Sequence, residues 1–140
     1  MEILSSRTLL RPADLGRTLA FYRDGLGLAV AREFGDGDHR GVVFFAGGGL
    51  LEVSGTGPAS DRSGVALWLQ VRSMEDTVAE LAGRGVALAR PPEREPWGLV
   101  EAWVDDPDGV RIHLVEVPDD HPLRRDTRPA PDPSRLGSRP

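Results

Sequence analysis

The chain has 140 residues, of which 39% are hydrophobic and 28% charged, with no cysteine and a formal net charge of −5. These values fit one domain with a real core, and they exclude disulfides, thiol catalysis and thiolate metal sites. They also leave no basic surplus for binding nucleic acid, and because all 17 basic residues are arginine they exclude lysine Schiff-base chemistry.

Residues 3–11 read as a first strand. Asp14 stands at a helix N-cap, Leu15, Leu19, Tyr22 and Leu26 follow on one helical face, and Gly27 supplies the stop. Strands are expected near 28–34, 40–46 and 50–54, separated by Gly35-Asp36-Gly37-Asp38 and by Gly47-Gly48-Gly49. Residues 55–63 are a polar linker. A strand over Val65–Val71 opens the second half, and Ser73-Met74-Glu75-Asp76 caps a helix with Met74, Val78 and Leu81 on one face. Gly83 and Gly85 close it. Strands follow near 86–90, 99–105 and 110–117, the last two joined by the turn sequence Asp106-Pro107-Asp108-Gly109. The Pro- and Arg-rich segment 118–140 is expected to be extended or disordered. No apolar run approaches the ~18 residues of a membrane span. Met1–Ser6 has neither a basic nor an apolar leader region, so a cytoplasmic location is expected.

The same order of elements thus occurs twice, in residues 1–54 and 64–117. An internal repeat of this length predicts an α+β fold of two tandem βαβββ modules. The expected architecture is a curled eight-stranded mixed sheet, a cup, with the helices on its outer faces and a ligand in its concavity. Strand alternation sends Val65, Leu67, Leu69 and Val71 toward the helix and Ala66, Trp68 and Gln70 into the cup.

Several runs carry a resemblance: Asp14-Leu15 followed by Leu19-Ala20-Phe21-Tyr22-Arg23-Asp24-Gly25-Leu26-Gly27-Leu28; Leu51-Glu52-Val53; Trp97-Gly98; and Asp105-Asp106-Pro107-Asp108-Gly109 leading to His113-Leu114. Over about residues 3–117 the chain resembles the vicinal oxygen chelate superfamily, the glyoxalase, bleomycin-resistance and extradiol-dioxygenase group. The resemblance implies the two-module cup. In metal-dependent members it also implies a divalent ion held by four inward residues, usually His or Glu, on the first and fourth strands of each half. The repeat carries those positions onto Arg7, Glu52, Ala66 and His113, since Arg7 and Ala66 each lie seven residues before a helix cap. Ala66 has no donor atom and Arg7 no lone pair, whereas catalytic metal sites generally use three protein ligands. The expectation is therefore no metal and no cofactor, with a forked Arg7–Glu52 pair in place of the ion; a divalent metal is the alternative.

The expected ligand pocket comprises Arg7, Leu9, Glu52, Ala66, Trp68, Gln70, Trp97 and His113, with Trp68 offering an indole to a flat organic molecule and Trp97-Gly98 resembling the pocket rim of drug-binding members. Three functions stand beside one another. The first is a metal-free small-molecule binding protein of the bleomycin-resistance type. The second is a metal-dependent lyase, isomerase or dioxygenase. The third is a metal-free enzyme with Glu52 or His113 as general base and Arg7 stabilising an oxyanion. His39 reads as a turn residue and His121 as part of the tail. A homodimer is expected, because open sheet edges in the superfamily are usually buried by pairing or exchanging halves.

Overall fold

The first helix begins where its cap predicts, with the Asp14 side chain accepting from the Arg17 amide at 2.9 Å. This structure is a computed structural model that describes residues 1–58, 62 and 64–124. Helix α1 (Leu15–Ala20) widens over Phe21–Gly25 into a π turn, closed by the Leu26 amide bonding to the Phe21 carbonyl at 2.8 Å. Gly27 then ends it with a positive φ of 69°, which a side chain at that position would resist. The second helix, α2 (Met74–Gly83), is capped by Ser73, whose hydroxyl accepts from the Asp76 amide at 3.2 Å. Leu19, Tyr22, Met74 and Leu81 are buried, as the helical spacing requires.

Eight strands complete the two modules: β1 (Thr8–Leu10), β2 (Val30–Phe34), β3 (Gly41–Ala46) and β4 (Gly49–Ser54), then β5 (Ala66–Val71), β6 (Arg90–Arg94), β7 (Val100–Asp105) and β8 (Arg111–Glu116). The first sheet has the order β1-β4-β3-β2 and the second β5-β8-β7-β6, so the repeat read in the sequence is repeated in the topology. In each module the first strand runs parallel to the fourth and the rest pair antiparallel. The fold is α+β.

Four boundaries depart from expectation. Hydrogen-bonded pairing stays within each module, giving two four-stranded sheets and not one eight-stranded sheet. A gap of about 270 Å³ lies between the sheets, lined by Thr8, Leu50, Ala66 and Leu67 among others. The first strand covers only Thr8–Leu10, because its register on β4 extends only from Leu51 to Val53. The strand expected near 86–90 lies at Arg90–Arg94, since the Val86 amide is taken by the Leu81 carbonyl at 2.9 Å. Pro91 and Pro92 are tolerated there because β6 is an edge strand. Within the segment expected to be extended, residues 118–124 form a turn and a short 3-10 helix at Pro122–Arg124. Residues 59–61 and 63 of the expected linker and 125–140 of the expected tail lie outside the described residues. Among the described residues no helix is long and apolar enough to cross a membrane.

One buried cluster joins the helix-bearing faces of both sheets. It includes Leu10, Leu19, Tyr22, Phe44 and Val53 from the first module and Met74, Leu81, Val104, Ile112 and Leu114 from the second. Leu67, Leu69 and Val71 pack against it, as strand alternation predicts, whereas Val65 precedes the strand and is exposed. The modules are also pinned by polar contacts. The Tyr22 hydroxyl donates to Asp106 Oδ2 at 2.8 Å, and Asp106 Oδ1 accepts from the Asp108 and Val110 amides at 2.9 Å each. Burial, then the Asp106 charge, holds the Tyr22 phenol far above its usual range, so it stays a donor.

Candidate functional sites on the helix-free faces

With α1 and α2 packed on one face, the other face of each sheet has no α-helix over it among the described residues. On the first sheet, β4 turns Glu52 and Ser54 to this face and β1 sets Leu9 beside Glu52 in register. Arg7 donates from one terminal nitrogen to Glu52 Oε2 at 2.7 Å, and the Ser54 hydroxyl donates to Oε1, also at 2.7 Å. These two bonds, the arginine's first, hold the Glu52 carboxyl below the ordinary carboxylate range against the opposing effect of burial. Arg7 and Glu52 thus meet through a single bond and not through the fork expected from the sequence, because Ser54 takes the second carboxylate oxygen. The pair's arginine side chain is 37% exposed and its glutamate 11%, so solvent reaches one side of it.

On the second sheet the register lays out a cross-strand row: Trp68 on β5 lies opposite His113 on β8, which lies opposite Trp103 on β7, which lies opposite Arg90 on β6. The His113 and Trp103 rings stand 5.3 Å apart, and the Arg90 and Arg111 guanidinium carbons lie 4.1 and 4.7 Å from the Trp103 ring centre. Those cations are themselves paired, Arg90 with Glu95 and Arg111 with Asp105. In the next row Glu101, buried, meets His113 Nδ1 through Oε2 at 3.3 Å and receives the Trp97 indole N–H at Oε1, also at 3.3 Å. Trp97 sits in the turn before β7, and its carbonyl meets His121 Nε2 at 2.9 Å, so His121 supports this turn.

The structure thus places the expected pocket residues in two groups. Arg7, Leu9 and Glu52 belong to the first sheet's face. Ala66, Trp68, Gln70 and His113 belong to the second, with Trp97 beside them. No hydrogen bond or ion pair joins the two groups among the described residues. A cavity of about 710 Å³ lies between the modules, lined by Trp68 and Gln70 of the expected set together with Leu26, Leu28, Gly47 and Gly48. Arg7, Leu9, Glu52, Trp97 and His113 line neither this cavity nor the gap beside β1.

Sequence reasoning puts Glu101 and Trp103 on one face of their strand without saying which, and it misses Ser54. The signal for the first two was present. The turn at 106–109 sets Asp105 opposite Arg111, and counting back along the hairpin puts Trp103 opposite His113. Ser54 shares the parity of Glu52 two residues earlier on β4.

A divalent ion does not fit these residues. Glu52 is occupied by Arg7 and Ser54, Arg7 has no lone pair and Ala66 no donor atom, so of the four positions only His113, through Nε2, could give a ligand. Among the described residues no three His, Asp or Glu side chains are grouped to hold a metal.

Comparison with known proteins places this geometry in context. The sequence profile described as the Glyoxalase/Bleomycin resistance protein/Dioxygenase superfamily matches residues 5–114. No curated protein matches. Among solved structures, a member of the same superfamily from Sphaerobacter thermophilus DSM 20745 is 27% identical with a TM-score of 0.63, covering 83% of this chain and 98% of its own. A glyoxalase/bleomycin resistance protein from Catenulispora acidiphila DSM 44928 is 26% identical with a TM-score of 0.65, covering 83% and 100%. TnmS3, an antibiotic binding protein from Streptomyces sp. CB03234, shares the fold at 22% identity and a TM-score of 0.68, covering 84% and 98%.

Proposed function

The chain belongs to the glyoxalase/bleomycin resistance protein/dioxygenase superfamily, and from that premise we propose that it is a metal-free binding protein for a small organic molecule. One observation carries this reading. The second sheet's helix-free face presents Trp68, 51% exposed, beside His113 and the small Ala66, where a flat molecule has an indole to stack on. The chemistry of the neighbouring residues supports it, since the superfamily's metal positions hold a cation, an alanine, a glutamate engaged by that cation and by Ser54, and a single histidine. The shared fold with an antibiotic binding protein points the same way.

A fluorescence titration tests it. Flat aromatic natural products and drugs screened against the purified protein should include binders that quench tryptophan emission. Trp68→Ala should weaken their binding about tenfold or more, in line with the loss of one well-stacked aromatic contact, while leaving the melting temperature within a few degrees. If Trp68→Ala leaves binding intact, or collapses stability, the ring does not serve this role.

The Glu101–His113 contact favours a second reading, a metal-free enzyme with His113 as general base. Chemical change of a bound compound, lost in His113→Gln, would select it.

The reading also includes a homodimer in the cytoplasm. Leu9, Phe45, Trp68 and Trp97 are each more than half exposed, the first two on the first sheet and the others on or beside the second. Leaving that much apolar surface in water is unfavourable, and a second copy is the partner always present. Sedimentation at micromolar concentration should give twice the 15.1 kDa chain mass; a single species at the chain mass would contradict it.

A further inference from the structure

The row Trp68–His113–Trp103 has a polarity that the register and the hydrogen bonds define together. Glu101 is 6% exposed and its carboxylate oxygens only accept when ionised. The Trp97 indole can only donate, so it takes Oε1. The contact at Oε2 then needs a hydrogen on His113 Nδ1. In the neutral ring this leaves Nε2 as a lone-pair acceptor, and no hydrogen bond reaches it among the described residues. The His113 side chain is 29% exposed.

Its neighbours differ in what they offer. Trp103 is flanked by two guanidiniums and serves as a wall. Trp68, directly opposite His113 on the other side, is exposed, and among the described residues no guanidinium stands over its ring. Ala66, two residues before Trp68 on the same face, keeps the space beside it open. A flat surface therefore adjoins a single fixed acceptor.

We infer that this row selects an aromatic ligand carrying a hydroxyl group: the ring stacks on Trp68 and its O–H donates to His113 Nε2. Glu101 acts as a positioning residue, holding the imidazole in the tautomer that makes Nε2 the acceptor. The inference rests on the binding-protein reading and adds the chemical class of ligand.

Isothermal titration with 2-naphthol and with 2-methoxynaphthalene tests it, since the two share a ring system and differ in the donor. The wild-type protein should hold the naphthol about five- to tenfold more tightly, the worth of one hydrogen bond. His113→Phe should erase the preference while still binding the ether. Nitrogen NMR should show His113 protonated at Nδ1 in the wild-type protein, and Glu101→Ala should give a mixture of tautomers and a smaller preference. If the two probes bind equally, the hydroxyl selection is wrong while the binding function stands. If neither binds while the wider screen finds Trp68-dependent ligands, the ligand class is wrong and the function again stands. Should Glu101→Ala fail to fold, the wild-type spectrum decides, and a ring protonated at Nε2 overturns the assignment.

Discussion

Asp106→Ala is expected to be among the most destabilising single substitutions in the chain, lowering the unfolding free energy by roughly 3 kcal/mol or more. The carboxylate is 6% exposed and satisfies three donors, the Tyr22 hydroxyl from the first module and the Asp108 and Val110 amides of its own turn. Removing it strands all three in a region where water cannot easily replace it. Tyr22→Phe keeps the ring and the turn and removes only the bond between modules, so it should cost about 1–3 kcal/mol. Urea denaturation of both variants and the double variant should show the two effects to be non-additive, because they share one bond. The alkaline limb of the stability curve offers a second readout. The fold holds the Tyr22 phenol above the ordinary tyrosine value of about 10, so the unfolded chain sheds this proton first as pH rises. Its contribution is intact below pH 10 and declines above it, and Tyr22→Phe should lose that decline.

The Arg7–Glu52 pair should also be felt, at about 1–2 kcal/mol for either Arg7→Ala or Glu52→Ala. Complete burial of an ion pair would make the loss roughly 3–5 kcal/mol. Here the arginine is 37% exposed and Ser54 still donates to the carboxylate, so the expected value is smaller. The double variant should cost less than the sum of the two changes. The pH dependence has a defined sign. Glu52 titrates below the ordinary carboxylate range in the fold, so its contribution is present above that range and is lost as pH falls through its lowered value. Arg7→Ala should flatten this part of the acid limb. A coupling near zero, with an unchanged acid limb, would mean that the pair does not contribute.

The fold was largely readable because the chain repeats its signals. Asp14 and Ser73 cap helices in corresponding places, two glycine-containing turns lead into the final strands, and alternation along β5 assigns Leu67, Leu69 and Val71 to the core. Pairing between modules was not readable, because no local pattern states whether the edges of β1 and β5 form a ladder or leave a gap. At the site, the Arg7–Glu52 contact was legible from the ligand positions that the superfamily resemblance implies, which carry a cation at Arg7, just before β1, and a carboxylate at Glu52 on the adjacent β4. The Glu101–His113–Trp97 group was not. Its members come from a turn and two strands, and the hairpin register that unites them was left unused. His121 lay further out of reach, since only the fold shows residues 118–124 turning back onto the Trp97 carbonyl.

The central claim is that an organic ligand, and not a metal ion, is what this superfamily member holds. Elemental analysis of protein purified without chelators and then supplied in turn with zinc, nickel, manganese and iron tests it most directly. The arrangement of Arg7, Glu52, Ala66 and His113 predicts no ion retained in stoichiometric amount after gel filtration. Close to one tightly held ion per chain, lost in Glu52→Ala, would contradict the claim and select the metal-dependent enzyme instead.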